Sequence, residues 1–272
     1  MKIVIDNDCG LCNKLWSIVN PIIWSIKNKK RILFISYDIN YKCFPKLFFN
    51  KYLWFPFIYF YHSISYRQVH KLHIKLKKAR IENNLFADLI WYGWDNIHDE
   101  INEEDKIIIR KIFKPSKKIL TKIEKKFKEE RRGNEIIVGI HIRVGDYISY
   151  KRGKYFFTIE EYRRIMRNLI MFFEKDIKFF IASNESINPK DFSEFNFFYF
   201  GEKTIIDLYS LSKCDYIIGP PSTFSMWAAL YGGSLQSFII QKDQKKFLFK
   251  PINKNLSLEE METIYGYKGF IS

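Results

Sequence analysis

The sequence predicts an α/β fold built from doubly wound parallel sheets, and three observations carry this prediction. Strand-like and helix-like segments alternate along most of the 272 residues. Several strand-like segments are short, unbroken apolar runs, which is typical of parallel strands covered by helices on both faces. A charged stretch interrupts the alternation near residue 132, so we expect two domains, residues 1–132 and 133–272.

The first series reads strand, turn, helix and strand. We predict a strand from Lys2 to Asp6, a helix from about Asn13 to Lys27 and a second strand from Arg31 to Tyr37. From Glu100 to Arg132 the chain is charged, and its apolar residues recur at helical spacing. We expect the domain boundary where this stretch gives way to a strand, near residues 131–134.

The second series begins with a strand at residues 135–142. Thr158 and Glu161 have the spacing of a capping box that opens a helix. The same alternation continues with strands at residues 178–182, 195–200, 216–219 and 236–240, and helices at 204–213 and 224–231. Ligands of such sheets bind beyond the carboxyl ends of the strands, so functional residues are expected there.

The composition is that of a folded protein with a strong positive charge. Hydrophobic residues make up 47% and aromatic residues 18% of the chain, which excludes a disordered protein. The 45 Lys and Arg residues outnumber the 30 Asp and Glu residues and give a net charge of +15. Such a surplus suits polyanions, anionic lipid surfaces or small phosphorylated ligands. Nucleic acid is not the expected partner, because RNP-type aromatic strands, zinc-finger spacing and basic heptads are missing from the sequence.

Two features predict a cytoplasmic protein. The chain enters a strand-like run at once, without the apolar region and cleavage site of a signal peptide. Its four cysteines show no repeated spacing, which favours reduced thiols over a disulfide framework.

Residues 41–61 are unusually rich in aromatic side chains, and two interpretations remain open. The segment is not expected to cross a membrane, because charged residues and prolines interrupt it and no part of it reaches the roughly 20 apolar residues that a bilayer requires. It either packs in the core and at a domain interface, or forms a basic and aromatic surface that rests on a membrane. The second interpretation predicts peripheral association with the inner membrane surface.

The segment from His141 to Tyr147 places charged side chains at the carboxyl end of a buried-looking strand. There Arg143 would present a planar fork of donors to phosphate oxygens, and Asp146 could hold the guanidinium from behind. Gly145 allows a sharp backbone turn between them. The alternative is an internal ion pair between Arg143 and Asp146 beside a core histidine.

The segment from Gly219 to Ala229 combines the end of a strand, two prolines and a helix start rich in hydroxyls. Backbone N–H groups at the helix start, with the hydroxyls of Ser222, Thr223 and Ser225, could bind a pyrophosphate without a metal ion. The alternative is ordinary N-capping of the helix by Ser222 or Thr223.

These two segments resemble motifs of the α-1,2-fucosyltransferases, glycosyltransferase family 11. His141–Tyr147 is similar to the family's His-x-Arg-x-Gly/Arg-Asp-Tyr signature, and Pro221–Ala229 to its Ser-Ser-Phe-Ser-Trp-Trp-Gly-Ala segment. Asp207–Cys214 resembles the family's Asp-Leu-x-x-Met-Ser-x-Cys helix, and Phe180–Glu185 its Phe-x-x-Ser-Asp-Asp stretch. Asn13 occupies the Asn of the family's amino-terminal Gly-Leu-Gly-Asn-Gln-Met turn.

The resemblance implies an inverting fucosyltransferase with a GT-B-like fold of two facing Rossmann-like domains. The carboxyl-terminal domain would bind the donor, GDP-fucose, and the amino-terminal domain a glycan acceptor, with no metal ion or other cofactor. Arg143, His141 and Asp146 would carry the catalytic roles. Gly10 and Asn13 would form an acceptor or phosphate loop. The expected donor-binding residues are Ser222, Thr223, Ser225, Ser183, Asn184 and Asp207.

A competing motif lies in the first turn, where Cys9 and Cys12 form a Cys-x-x-Cys sequence after a strand and before a helix. This context is thioredoxin-like and resembles the DCC family of small thiol oxidoreductases. It predicts thiol-disulfide exchange as the alternative function, although it accounts only for the beginning of the chain. For the transferase, Asp6, Asp8 and Asp38 near predicted strand ends are candidates for a general base.

Overall fold

The computed structural model describes residues 2–5, 10–35, 39, 42–55, 75, 90–92, 99–201 and 204–265. The chain divides into two compact units, Met1–Ser116 and Lys117–Ser272. The helix Lys117–Glu130 belongs to the second unit, whereas the boundary expected near residues 131–134 assigns it to the first. None of the described helices is long and apolar enough to cross a bilayer.

The first unit contains a parallel sheet whose described strands lie in the order β3-β2-β1-β4. These strands are β1 (Lys2–Ile5), β2 (Ile32–Ile35), β3 (Leu53–Trp54) and β4 (Ile90–Tyr92). The helices described in this unit are α1 (Leu11–Asn28), α2 (Pro45–Phe48) and α3 (Glu103–Ile112). All three strand pairs are parallel, as expected where a helix such as α1 connects neighbouring strands.

Apolar residues at helical spacing fix α1 within this unit. Leu15, Val19 and Ile22 are completely buried. At the far end of the helix, Lys27 pairs with the buried carboxylate of Asp105 on α3, with Nζ and Oδ1 2.6 Å apart. The predicted strand–helix–strand unit is therefore confirmed, with α1 slightly longer than expected.

The second unit contains a sheet in the order β10-β9-β8-β5-β6-β7. Its strands are β5 (Ile136–Ile142), β6 (Ile177–Ser183), β7 (Phe197–Phe198), β8 (Tyr216–Gly219), β9 (Leu235–Phe238) and β10 (Lys250–Pro251). Its described helices are α4 (Lys117–Glu130), α5 (Ile159–Phe173), α6 (Thr204–Leu211), α7 (Thr223–Gly232) and α8 (Leu258–Tyr265). The strands are parallel except β10, which is antiparallel to β9.

Most elements predicted for this unit are confirmed. Thr158 and Glu161 form the expected capping box and open α5. The strand expected at residues 195–200 is reduced to the two residues of β7. The charged stretch expected to be helical forms two helices, α3 and α4, with a break between them at residues 113–116. Pro115 accounts for the break, because the residue before a proline is disfavoured in the helical conformation.

The strand order creates a switch point between β5 and β8. From β5 the chain winds outward through β6 and β7, and it then returns to the other side of β5 as β8. The segments that follow β5 and β8 therefore leave the sheet in different directions. Between them lies the crevice at the carboxyl edge in which doubly wound proteins bind their ligands.

Gly219, the last residue of β8, permits a close approach between these two strands. A Cβ atom at this position would lie 2.7 Å from the carbonyl oxygen of His141 and 2.8 Å from its Cβ. Such distances are too short for any residue with a side chain unless the backbone shifts. Gly219 therefore sets the spacing of the strand ends that border the crevice.

We expect Gly219→Ala to destabilise the protein by about 1–3 kcal/mol, because the added methyl group overpacks the contact with β5. Urea denaturation would show the loss as a lower transition midpoint. Gly10→Ala is a suitable comparison, since a Cβ there meets no atom within 4 Å. That change should cost at most about 1 kcal/mol, the difference between Gly and Ala at a helix N-cap. Equal stability of the two variants would contradict the assigned close approach.

Candidate active site

Arg143 directly follows the last residue of β5 and lies at the carboxyl edge of the sheet. Its backbone N–H donates to the hydroxyl of Tyr162 at 3.1 Å. Its Nε and Nη2 donate to the two carboxylate oxygens of Asp146, each at 2.9 Å. Among the described residues Nη1 has no hydrogen-bond partner, and the side chain is 31% exposed. The expected ion pair with Asp146 is therefore present, and it leaves one guanidinium nitrogen to donate to a ligand.

The turn after Arg143 is held by the residues that follow β6. Asn184 accepts the N–H of Val144 at 3.0 Å and donates to its carbonyl oxygen at 3.4 Å. Gly145 has φ +56°, and a Cβ there would lie 2.8 Å from a carboxylate oxygen of Glu185. The positive φ makes this turn suited to glycine, whereas the exposed Glu185 side chain could move to admit a Cβ. These contacts fix the backbone from which the Arg143 side chain projects.

His141 lies within β5, two residues before Arg143, and is 2% exposed. Burial, assisted by the nearby charge of Arg143, lowers its pKa from 6.5 to about 3. The imidazole is therefore neutral near pH 7. In the part of the chain that is described, its Nδ1 atom has no hydrogen-bond partner. A neutral ring in this position can orient a hydrogen-bonding group, but it contributes no positive charge to the site.

Helix α7 begins at the other border of the crevice. Ser222 is its N-cap, and its hydroxyl accepts the N–H of Phe224 at 3.2 Å. Thr223 is half-buried at the first helical position. Ser225 is fully buried, donates to the carbonyl of Ser222 and accepts a hydrogen bond from Gln236 at 2.8 Å. The ligand contact predicted for Ser225 is therefore not supported, because its hydroxyl is engaged within the protein.

The two segments singled out in the sequence meet at this crevice. The hydroxyl of Tyr147 donates to the carbonyl of Pro221 at 2.5 Å. Burial raises the pKa of Tyr147 to about 12, so the hydroxyl remains protonated and keeps donating. The ring of His141 lies 5.0 Å from that of Phe224 in the first turn of α7. The turn that carries Arg143 and the start of α7 are consequently in direct contact.

A pocket of about 350 Å³ adjoins the same turn, beyond the ends of β6 and β7. Ser183, Asn184, Glu185 and Asp207 are among its lining residues. Ser183 accepts the N–H of Glu185 at 3.2 Å, and Asp207 is 6% exposed. Asn184 also holds the Arg143 turn, so this residue borders both the pocket and that turn. Three of the predicted donor-binding residues thus line one polar pocket.

The residues predicted to form an acceptor or phosphate loop lie in the first unit. Gly10 is the exposed N-cap of α1, and Asn13 is half-buried in its first turn. Cys12 is 4% exposed within α1, which does not suit a reactive thiolate. Cys9, the other cysteine of the Cys-x-x-Cys sequence, lies outside the described residues. The general-base candidates Asp6, Asp8 and Asp38 also lie outside them.

Sequence reasoning missed the residues that support the site from distant parts of the chain. Tyr162, which accepts the N–H of Arg143, is 19 residues further along the chain. Gln236 on β9 holds Ser225 in the first turn of α7. The sequence contains only a weak signal for such residues. A polar side chain on a buried face is expected to have a hydrogen-bond partner, but its position in the sequence does not identify that partner.

A doubly wound sheet with a half-paired arginine and a helix start at its switch point is typical of proteins that bind phosphorylated ligands. Within the described ranges, no group of three or more His, Cys, Asp or Glu side chains could hold a metal ion. The sequence profile of glycosyl transferase family 11 matches residues 84–258, which is more than half of the chain. The chain therefore belongs to this family and is a glycosyltransferase. No curated protein sequence matches it.

Solved structures show the same fold at low sequence identity. NodZ, an α-1,6-fucosyltransferase of Bradyrhizobium that was soaked with GDP-fucose, is 16% identical with a TM-score of 0.55, covering 92% of this chain and 99% of NodZ. A single-residue mutant of Arabidopsis thaliana FUT1 in complex with GDP is 11% identical with a TM-score of 0.54, covering 87% of this chain and 69% of FUT1. POFUT1 in complex with GDP-fucose is 10% identical with a TM-score of 0.52, covering 87% and 97%. The predicted GT-B-like α/β fold is confirmed.

His141 makes the stability of the folded protein sensitive to acid. Because its pKa falls from 6.5 to about 3 on folding, the unfolded chain binds a proton between these values that the folded chain does not. The contribution of His141 to the free energy of unfolding is therefore complete above pH 6.5. It declines as the pH falls, by up to about 1.4 kcal/mol per pH unit.

As the pH is lowered from about 6 to 4, we expect the free energy of unfolding of His141→Gln to fall less than that of the original protein. Urea denaturation at several pH values would measure the two slopes, and all other titrating groups are common to both proteins. Parallel slopes would contradict the assigned burial of an uncharged histidine.

Proposed function

We propose that the chain transfers fucose from GDP-fucose to a hydroxyl of a glycan, with inversion at the anomeric carbon and without a metal ion. The observation that carries this proposal is the contact between the Arg143 turn and the start of α7 at the switch point. This contact brings the guanidinium of Arg143 and the N–H groups at the start of α7 into one crevice, where they could donate to a diphosphate. Structural neighbours of the chain were captured with GDP or GDP-fucose, which supports this choice of donor.

The diphosphate would bind between Arg143 and the first turn of α7. The Nη1 atom of Arg143 is available to it, while Asp146 keeps the guanidinium plane fixed through the other two donors. The N-terminus of the ten-residue α7 adds a partial positive charge and backbone N–H groups. These donors are held by the protein before the ligand arrives, so little reorganisation is needed on binding.

The guanine base would occupy the pocket beside this crevice. Asp207 and Ser183 supply acceptor groups there, and guanine carries N–H donors on its pairing edge. The pocket volume of about 350 Å³ lies within the range of small-ligand sites. Asn184 lines this pocket and also bonds the Arg143 turn, so a base in the pocket would lie beside the phosphates in the crevice.

As the bond between fucose and phosphate breaks, negative charge grows on the β-phosphate and the sugar acquires oxocarbenium character. Arg143 and the α7 start would stabilise this charge, which is the main catalytic contribution the described residues offer. The neutral His141 would orient a phosphate oxygen or a sugar hydroxyl. The acceptor hydroxyl would attack the opposite face of the sugar and invert its configuration. We extend the proposal to α-1,2 linkage because of the motif resemblance at His141–Tyr147 and Pro221–Ala229.

Replacement of Arg143 by Ala tests the proposal. We expect fucosyl transfer to fall by about 100- to 1000-fold, the usual effect of removing a preorganised donor to a developing charge. GDP should also lose most of its stabilisation of the fold, as measured by the shift in melting temperature. UDP, CMP and ADP serve as comparison ligands for the base pocket.

Arg164→Ala is the matched control. Arg164 is exposed on α5, so this substitution removes the same charge outside the crevice. It should retain transfer and the response to GDP. Near-original turnover in Arg143→Ala would overturn the proposed role. A larger thermal shift with another nucleotide than with GDP would overturn the proposed donor.

Metal independence is tested by chelation. We expect EDTA to leave the transfer rate unchanged, because the proposed leaving-group stabilisation comes from Arg143 and α7 alone. The rate would be measured before and after EDTA treatment, and again after addition of excess Mn²⁺. Loss of transfer on chelation and its recovery with Mn²⁺ would assign leaving-group stabilisation to a metal instead.

A further inference from the structure

The positive charge of the chain is concentrated in one segment. Between residues 9 and 80 the sequence contains 14 Lys and Arg residues and a single acidic residue, Asp38. Since the net charge of the whole chain is +15, this segment carries nearly all of the surplus. The candidate donor site lies in the second unit and makes no use of these residues.

Part of this charge lies along one edge of the sheet in the first unit. Lys2 opens β1, Lys29, Lys30 and Arg31 immediately precede β2, and Lys51 lies two residues before β3. Because the three strands are parallel and in register, their amino-terminal ends meet at the same edge. We call these five residues the basic edge.

Aromatic rings accompany the basic edge. The Nζ atom of Lys2 lies 4.9 Å from the centre of the Trp24 ring, and that of Lys30 lies 6.0 Å from the same ring. Lys51 lies 5.0 Å from the ring of Tyr52. Among the described residues from 10 to 55, Lys and Arg are the only charged side chains, because none of these residues is Asp or Glu.

Two large apolar side chains are exposed in the segment that contains Lys51. Phe49 is 76% exposed and Trp54 is 54% exposed, while Leu53 and Phe55 beside them are buried. Trp54 belongs to β3, one of the two edge strands of the described sheet. Large aromatic side chains exposed in a basic segment are typical of surfaces that meet a lipid headgroup layer.

We propose that the basic edge, with Phe49 and Trp54, binds the surface of a bilayer that contains anionic phospholipids. Each basic residue near such a surface strengthens binding about fivefold. Aromatic side chains add a contribution of their own at the interface between headgroups and acyl chains. A soluble polyanion would satisfy the charges but would leave both aromatic side chains in water, so the combination favours a membrane.

The position of the basic edge is compatible with catalysis. It lies at the amino-terminal ends of the first unit's strands, whereas ligands of parallel sheets bind at the carboxyl ends. Gly10, at the carboxyl side of β1, therefore lies at the opposite edge of that unit's sheet. Membrane contact through the basic edge leaves the carboxyl edge of the same sheet open.

Vesicle flotation of the full chain tests the charge component. We expect the protein to float with vesicles of phosphatidylcholine and phosphatidylglycerol in equal parts, and not with phosphatidylcholine alone. The triple variant Lys29→Gln, Lys30→Gln, Lys51→Gln should bind the anionic vesicles roughly 100-fold more weakly. The matched control Lys175→Gln, Lys245→Gln, Lys246→Gln loses three exposed charges in the second unit and should bind like the original protein. No binding to anionic vesicles, or equal loss in the two triple variants, would overturn the proposal.

The aromatic component separates a membrane from a soluble polyanion. Phe49→Ser with Trp54→Thr should reduce binding to anionic vesicles several-fold and leave retention on immobilised polyphosphate unchanged. Undiminished vesicle binding by this double variant, or binding of the original protein to polyphosphate only, would overturn the bilayer as the partner. All variants should keep the urea transition midpoint and the thermal response to GDP. Flotation needs no nucleotide, so its outcome does not depend on the proposed transfer reaction.

Discussion

The parallel pairing of β5 with β8 is the contact on which the candidate site depends. Arg143 and Ser222 are far apart in the sequence, and each has an ordinary structural explanation when it is considered alone. Pairing brings the ends of the two strands to the same edge, and Gly219 removes the side chain that would hold them apart. A half-paired arginine and a helix start then share one crevice, which neither segment could form without the other.

The electrostatics of this crevice follow from unequal burial. Asp146 is 57% exposed, so its ion pair with Arg143 is screened by water and contributes little to stability. Its effect is geometric, because two parallel hydrogen bonds fix the guanidinium plane. His141, in contrast, is too deeply buried to carry a charge. The positive field in the crevice therefore comes from Arg143 and the α7 dipole, both directed by rigid elements of the sheet.

The sequence predicted those parts of the fold that depend on local patterns. Apolar runs located β5, β6 and β8, and the capping box at Thr158 located α5, because periodicity and capping act over a few residues. The site was less accessible to such reasoning. Ser225 has the same hydroxyl as Ser222, and only the arrival of Gln236 from β9 shows that it serves the interior. The burial of a side chain and its hydrogen-bond partner depend on the tertiary structure. A sequence motif therefore identifies candidate residues, but it does not show whether each side chain binds a ligand or bonds within the protein.

The net charge of +15 is not spread evenly along the chain, and the donor site does not account for it. Outside residues 9–80, Lys and Arg occur in nearly the same number as Asp and Glu, as expected of an ordinary solvated surface. The crevice of the second unit can hold a diphosphate with one arginine and one helix start, so it does not explain the surplus. A solubilising role would not explain the location of the surplus, because solubility depends on net charge and not on its concentration at one sheet edge. Charge of one sign, gathered at one sheet edge and accompanied by exposed aromatic rings, is instead the arrangement that an extended anionic surface selects.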